Sequence, residues 1–114
     1  MLRKQERAPS YLVARTALRG RRYYGRHLTL RTLPTPTSHV AFVVPKHIAR
    51  TAALRNTLRR RGYAATRNHI VDLPKPHTLV FFFKERGTVP STSQLEKDVI
   101  ELLDKVSREE YTTK

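Results

Sequence analysis

The sequence lacks cysteine altogether, and it has no long apolar run. Without cysteine, disulfides and thiolate metal sites are excluded, which fits a reducing cytoplasm. No apolar run approaches the roughly 20 residues that a membrane-spanning helix needs. The N-terminus is basic but is not followed by the apolar segment of a secretory signal. The 114 residues are therefore expected to form one small cytoplasmic domain without a membrane partner.

Acidic residues are almost absent from the first two-thirds of the chain. Residues 1–71 contain 16 lysines and arginines but a single acid, Glu6, which leaves a formal charge of +15. Residues 72–114 contain seven basic and eight acidic residues, a net charge of −1. Because basic side chains displace counterions from phosphates, this asymmetry predicts a nucleic-acid partner. An anionic membrane is the rival, but membrane-surface helices need bulky apolar residues beneath their charges, which the basic region does not offer.

The positive charge is densest in residues 50–67, called here the arginine helix. This stretch holds six arginines, no acid and several alanines and leucines. On a helix its two leucines can face a core, while Arg55, Arg59 and Arg60 share a neighbouring face. Like charges at this spacing repel by a few tenths of a kcal/mol per pair, so the pattern favours a polyanionic partner over a merely solvated face. Gly62 predicts bending or fraying late in the helix.

The remaining chain alternates between helical and extended patterns. Helices are expected over residues 11–19, 50–67 and from Ser93 onward, strands over residues 27–33, 40–44 and 78–83, and a short additional strand is compatible with residues 21–26. We expect Ser10 to cap the first helix and a Ser93–Glu96 capping box to begin the last. Because a helix connects the last two long strands, they should lie parallel. The order predicts an α+β fold, with helices on one face of a sheet.

The domain is expected to cover residues 10–106, between a flexible basic tail (1–9) and a C-terminal tail (107–114). No active site is predicted within it. The five histidines do not recur at i, i+3 or i, i+4 on one predicted helix, and no acid cluster accompanies them, so no metal site is expected. No catalytic nucleophile and base can be paired either. Any chemistry is therefore expected to belong to a partner.

Aromatic residues offer two further candidates for contact with RNA. Phe81, Phe82 and Phe83 lie in an apolar run, so at least two of them are expected in the core. Tyr23 and Tyr24 lie among arginines and away from apolar runs. For the tyrosines, stacking on single-stranded RNA and packing within a strand both remain open.

Several segments then fall into a recognisable order. An apolar strand ends in Val-Val-Pro-Lys-His at residues 43–47, and Arg-Asn-Thr-Leu-Arg-Arg follows at residues 55–60. Upstream, residues 20–33 run from a glycine into the first strand; downstream, Leu-Pro precedes a strand that ends at Lys84. Over about residues 10–106 this order resembles the protein subunit of bacterial ribonuclease P. That family has a strand ending in Val-Ser-Lys-Lys and an Arg-Asn-Arg motif followed by Lys-Arg.

The chain departs from the family pattern at specific positions. Thr57 replaces the last arginine of the Arg-Asn-Arg motif, and Tyr63 stands where an arginine usually closes the motif helix. Thr78 replaces the aspartate that commonly opens the next strand. The first helix has Val13 and Ala17 where the family sends two aromatics into a central cleft. The resemblance is therefore to a divergent member, and stacking on aromatic side chains should contribute less to RNA binding in its cleft.

The resemblance implies an α-β sandwich with about four mostly antiparallel strands and a left-handed crossover at the arginine helix, against the usual right-handed rule. It also implies that a catalytic RNA subunit, with Mg²⁺, removes the 5′ leader of precursor tRNA. The protein would bind both RNAs without catalysing the reaction alone and without a small-molecule substrate. A general RNA-binding or ribosome-associated basic protein and a nuclease acting alone are the alternatives.

By position, the resemblance assigns two groups of residues. The group expected to contact the RNA subunit comprises Arg55, Asn56, Arg59 and Arg60, extended by Lys46, His47 and Arg50. The group expected to line the leader cleft comprises Val13, Ala17, Arg31 and Phe42, with Tyr23 and Tyr24. The physical chemistry agrees for the first group, because arginine guanidinium groups bind phosphate in a bidentate manner.

Overall fold

The computed structural model describes residues 7–69, 73–87 and 89–112. These ranges contain three helices and four strands, in the order α1 (Ser10–Arg19), β1 (Arg21–Tyr24), β2 (Leu28–Pro34), β3 (His39–Val43), α2 (Ala52–Thr66), β4 (His77–Phe83) and α3 (Thr92–Thr112). The α+β prediction is confirmed, and the short additional strand is β1. Within these ranges, no helix combines the length and apolar character that crossing a membrane would require.

The four described strands form one sheet in the order β1-β2-β4-β3. β2 pairs antiparallel with both β1 and β4, whereas β3 and β4 are parallel and are connected through α2. The sheet is therefore mostly antiparallel, and its one parallel pair flanks the arginine helix as expected. At the outer edge of β3, Arg7 forms a parallel bridge with Val40, and the Ala8 N–H donates to the Val40 carbonyl oxygen at 2.8 Å. Residues 1–6 of the predicted basic tail lie outside the described residues.

The two faces of the sheet are covered by different helices. One face carries Leu28, Leu30 and Phe81, which are fully buried in a core shared with α2 and α3. The other face, called here the cleft face, carries the alternate strand residues, and α1 packs against β2 and β4 there. The expectation of helices on one face thus holds for α2 and α3, whereas α1 lies opposite them. The reason lies in β4, which is apolar on both faces and needs cover on both.

The start of each helix has a local cause in the sequence. α1 begins at Ser10 with Pro9 at the N-cap and no side-chain cap, so the expectation that Ser10 caps this helix was wrong. The φ of −67° at Pro9 is the value that the proline ring imposes, and it is compatible with the extended backbone of an N-cap residue. α2 begins after Thr51, whose side-chain oxygen accepts a hydrogen bond from the Leu54 N–H at 3.1 Å.

The capping box of α3 lies two residues before the predicted one. The Ser91 N–H donates to Gln94 Oε1 at 2.9 Å, and the Gln94 N–H donates to Ser91 Oγ at 3.2 Å. The predicted partner Glu96 instead lies with its Oε2 2.8 Å from His69 Nε2, at hydrogen-bond distance. Because both pairs have the same spacing, the pattern alone did not distinguish them. α3 continues to Thr112, through most of the segment assigned to a C-terminal tail, and the division into domain and tails stays a prediction.

Gly62 is required by packing. α2 continues through this residue to Thr66, so the helix does not fray there. A Cβ atom at Gly62 would lie 2.5 Å from Phe42 Cδ1, closer than real Cβ atoms approach a ring carbon. The missing side chain therefore lets α2 lie directly against the edge strand β3. This contact fixes where the arginine helix sits relative to the sheet.

Candidate nucleic-acid interface

The exposed face of α2 carries basic and amide side chains. Asn56 and Arg60 lie one turn apart and are both exposed. Arg59 is partly buried, and its Nη2 donates a hydrogen bond to Asn56 Oδ1. Across the ranges that the structure describes, neither Arg59 nor Arg60 forms an ion pair. The positive charge of this face is therefore left for a partner to neutralise.

Arg55 has a different environment from the other arginines of α2. It is partly buried, and its Nη1 donates to the carbonyl oxygens of Ala49 and Arg50, both at 2.9 Å. These bonds tie α2 to the turn that precedes it. A guanidinium group has five N–H donors, so further donors remain for a phosphate. Arg55 can thus position the turn and contact RNA at the same time.

The turn before α2 presents its basic residues outward. The N–H groups of Ile48 and Ala49 donate to the Pro45 carbonyl oxygen at 3.0 and 3.2 Å, and both side chains are buried. Lys46 and His47 are consequently exposed, as is Arg50. The structure therefore brings together the seven residues assigned to the RNA-subunit contact, along the first half of α2 and the turn before it. We call this group the α2 dock.

Thr57 bonds within its own helix. This residue replaces the last arginine of the family motif, and its Oγ1 donates to the Ala53 carbonyl oxygen at 3.0 Å. A hydroxyl used in this way offers no charge to a phosphate. The motif therefore supplies one cation fewer here than the family pattern does.

The second group of predicted residues is only partly assembled. Val13 and Ala17 are partly buried on α1, and Arg31 is partly buried on the cleft face of β2. Among the described residues, three buried side-chain atoms have no hydrogen-bond partner: Thr16 Oγ1, Arg31 Nε and His39 Nδ1. All three belong to α1 or to the cleft face. This layer therefore has polar groups whose hydrogen-bonding capacity the protein leaves unused.

Phe42 and Tyr23 do not lie on the cleft face, which corrects their assignment to the cleft. Phe42 is 3% exposed and stacks on Phe81 with ring centroids 4.7 Å apart, in the core under α2. Tyr23 is buried on the same face, and its hydroxyl donates to Glu109 Oε1 at 3.4 Å. Burial, and then the negative charge of Glu109, raise the pKa of Tyr23. Successive strand residues point to opposite faces, so the neighbours of these two residues face the cleft instead.

The cleft face carries two aromatic residues, of which Tyr24 was assigned to the cleft and Phe82 was not. Phe82 is partly buried there, between the core residues Phe81 and Phe83, so two of the three phenylalanines are core as predicted. Tyr24 also faces this side and is 58% exposed. Thr29 pairs with both Tyr24 and Phe82 and places them in one row across three strands. Strand alternation places Phe82 on the face opposite Phe81, but the apolar run does not say which of the two faces is the core.

Asp98 is a structural residue that no local pattern in the sequence indicated. It is 3% exposed on α3, and its carboxylate accepts hydrogen bonds from the N–H groups of Arg26, His27 and Leu28 at 2.9, 2.8 and 3.0 Å. These bonds fix the turn between β1 and β2. In the part of the chain described, no three metal-ligating side chains lie together. The candidate interface therefore consists of cations, the amide of Asn56 and aromatic rings.

Comparisons with known proteins agree with this architecture. The family model described as Ribonuclease P matches residues 13–107. No curated protein matches the chain. The RNase P protein of Staphylococcus aureus has a similar structure, with a TM-score of 0.72, 15% identity and coverage of 87% of this chain and 92% of that one. The RNase P protein of Thermotoga maritima gives a TM-score of 0.69, 16% identity and coverage of 91% and 94%. At these identities the two structures show a shared fold.

Proposed function

This chain belongs to the ribonuclease P protein family and is the protein component of that tRNA-processing holoenzyme, and we propose that the α2 dock binds its catalytic RNA subunit. The observation that carries this proposal is the α2 face itself. Arg59 and Arg60 lie there beside Asn56, with no ion pair within the described ranges. Phosphate oxygens would neutralise these charges, and the amide of Asn56 can bind a sugar or base edge.

In this proposal the cleft face holds the 5′ leader of precursor tRNA. Val13 and Ala17 border it on α1, and Arg31 lies on its floor. The unused polar atoms of Thr16 and His39 support a polar ligand here, because buried groups without partners are destabilising until they are satisfied. Because the side chains of residues 13 and 17 are small, Phe82 on the sheet is the residue that stacks on a base of the leader.

Catalysis belongs to the RNA subunit in this proposal, with Mg²⁺ bound by that RNA. The protein's own groups neutralise phosphates, orient the leader and raise the affinity for substrate. We place the holoenzyme in the cytoplasm. The alternative, a general RNA-binding protein, predicts equal affinity for any folded RNA and no effect on leader removal.

The test of the α2 dock compares Arg60→Ala with Arg15→Ala. Arg15 is an exposed arginine on α1, away from the dock, and serves as the matched control. A lost charge-assisted hydrogen bond is worth about 1.5 kcal/mol or more, so Arg60→Ala should weaken RNA-subunit binding about tenfold. The slope of log affinity against log salt should also become shallower by about 0.9 for one lost phosphate contact. Equal affinities of the two variants for the RNA subunit would contradict the dock.

Arg55→Ala separates positioning from direct contact. Because Arg55 bonds two carbonyl oxygens of the preceding turn, its removal should lower both the melting temperature and the affinity. Arg60→Ala should lower the affinity alone. Leader removal by the RNA subunit at low Mg²⁺, with and without each protein, then tests the function. Equal cleavage rates with and without the wild-type protein would support the general RNA-binding alternative.

A further inference from the structure

The β1 edge of the sheet carries a second basic group, called here the hairpin cluster and formed by Arg22, Tyr24, Lys84 and Lys105. Arg22 Nη1 donates to the Tyr24 hydroxyl at 3.1 Å. Lys84 Nζ lies 6.0 Å from the centroid of the Tyr24 ring, and Lys105 Nζ donates to the Tyr24 carbonyl oxygen at 2.9 Å. Two cations therefore lie beside one aromatic ring that is 58% exposed, and a third contacts the backbone of the same residue.

Nearby acids do not neutralise the hairpin cluster. Glu85 pairs with His27, and the carboxylate of Asp98 is used by three backbone N–H groups. Within the described ranges, none of the three cations of the cluster forms an ion pair. The positive charge at this edge is thus available to an external anion, as it is at the α2 dock.

A pair of like charges connects the cluster to the cleft. Arg22 and Arg31 lie directly opposite each other on antiparallel strands and point to the cleft face. Like charges in this arrangement are destabilising unless an anion lies between them. Beside them, the row of Tyr24, Thr29 and Phe82 crosses the same face. Charged and aromatic side chains therefore occur on this face from β4 across β2 to the β1 edge.

The chemistry of the cluster fits single-stranded RNA. An exposed ring can stack only on a base whose face is free, which a duplex does not present. The cations beside the ring suit the phosphates on either side of such a base. We propose that the hairpin cluster binds the part of the 5′ leader that extends beyond the cleft.

The sheet order favours the leader over the RNA subunit as the source of this strand. α2 packs against β3 at one edge, and Tyr24 lies on β1 at the other. Four strands span about 14 Å between these edges. This inference rests on the proposed function, because the α2 dock sets the side from which the leader enters. A strand that starts there and crosses the cleft reaches Tyr24 last.

The experiment measures binding of the reconstituted holoenzyme to precursor tRNAs with a graded series of leader lengths, starting from mature tRNA without a leader. Tyr24→Ala should weaken binding of the longest leaders about fivefold or more, the effect of one lost base stack. It should leave the affinity for leaderless tRNA and for the RNA subunit unchanged. Tyr24→Phe keeps the ring and should keep most of the affinity. Tyr11→Ala removes a tyrosine that is 65% exposed on α1 and serves as the control.

Lys84→Ala gives a second readout that does not depend on the ring. Its salt slope should become shallower by about 0.7 for long leaders only, as expected for one phosphate of a single strand. Equal weakening of leaderless tRNA by Tyr24→Ala, or no weakening for any length, would overturn the inference while leaving the α2 dock intact. If the affinity of the wild-type holoenzyme for precursor tRNA did not depend on leader length, both this inference and the proposed leader cleft would be overturned.

Discussion

Replacing Gly62 with alanine should destabilise the protein, although alanine is the better helix former. In a freely exposed helix the change would stabilise by about 1 kcal/mol. Here the new Cβ would lie 2.5, 2.6 and 2.8 Å from three ring atoms of Phe42. The ring has little freedom to move, because Phe81 stacks on it at 4.7 Å and Tyr63 packs edge-on at 5.3 Å. The strain must therefore displace α2 or the sheet.

The expected change in the free energy of unfolding is the cost of overpacking minus the gain in helix propensity. Overpacking a dense core typically destabilises by about 1–3 kcal/mol. At contacts this short we expect the upper part of that range, so the net loss is about 1–2 kcal/mol after the gain in helix propensity. For a domain of this size, each kcal/mol lowers the melting temperature by about 4–8 °C. Moving α2 should also weaken RNA-subunit binding, because the dock lies on the same helix.

Thermal and urea unfolding followed by circular dichroism would measure the change. The control is Ala64→Gly, an exposed position on α2, which should lose about 1 kcal/mol from helix propensity alone. Phe42→Leu in the Gly62→Ala background should recover part of the loss, because the smaller side chain makes room for the new methyl group. If Gly62→Ala raised the melting temperature, the close approach of α2 to β3 would not be what keeps this glycine.

Two further predictions concern the contacts between α3 and the β1–β2 hairpin. Asp98→Asn replaces a carboxylate that accepts from three N–H groups with an amide that can accept through one oxygen only. The free energy of unfolding, measured in urea, should therefore fall by about 1.5–3 kcal/mol. An unchanged unfolding midpoint would refute the role of Asp98. The pKa of Tyr23 is raised in the folded protein, so the folded state holds the hydroxyl proton more tightly than the unfolded state does. Wild-type stability should therefore decline as pH rises above about 10, and Tyr23→Phe should reduce this decline. Identical profiles of stability against pH for the two proteins would contradict this.

The basic face of α2 could be predicted from helical spacing in the sequence, whereas its assignment to the RNA subunit came from the family resemblance and stays a prediction. At this spacing, one side of any helix carries Arg55, Asn56, Arg59 and Arg60. A side with so many basic residues is expected to face solvent and not the core of a folded protein. The parallel pairing of β3 with β4 was equally accessible, because an intervening helix requires it. These features depend on local periodicity and connectivity, which a sequence states directly.

The cleft could not be assigned in the same way. Periodicity shows that Phe42 and Val43 face opposite sides, but a continuous apolar run does not say which side is the core. The structure settles this through α1, which covers the face opposite α2 and so turns Phe82, not Phe42, toward the cleft. The structural role of Asp98 could not be predicted from the sequence for a different reason. Its partners Arg26 and Leu28 lie about 70 residues away, and no local pattern marks a contact of that separation.

The charge asymmetry of the chain has a structural explanation in α3. Three of its acids have specific internal partners: Glu96 pairs with His69, Asp98 holds the β1–β2 turn, and Glu109 pairs with Arg21 at 3.1 Å. These acids stabilise the fold from the helix that covers the core face, while the cations of α2 and of the cleft face are left without acidic partners in the described ranges. An acid placed near Arg60 would relieve repulsion in the free protein but would compete with phosphate. The residues proposed to bind RNA therefore repel one another in the free protein, and their affinity for RNA is expected to depend on salt.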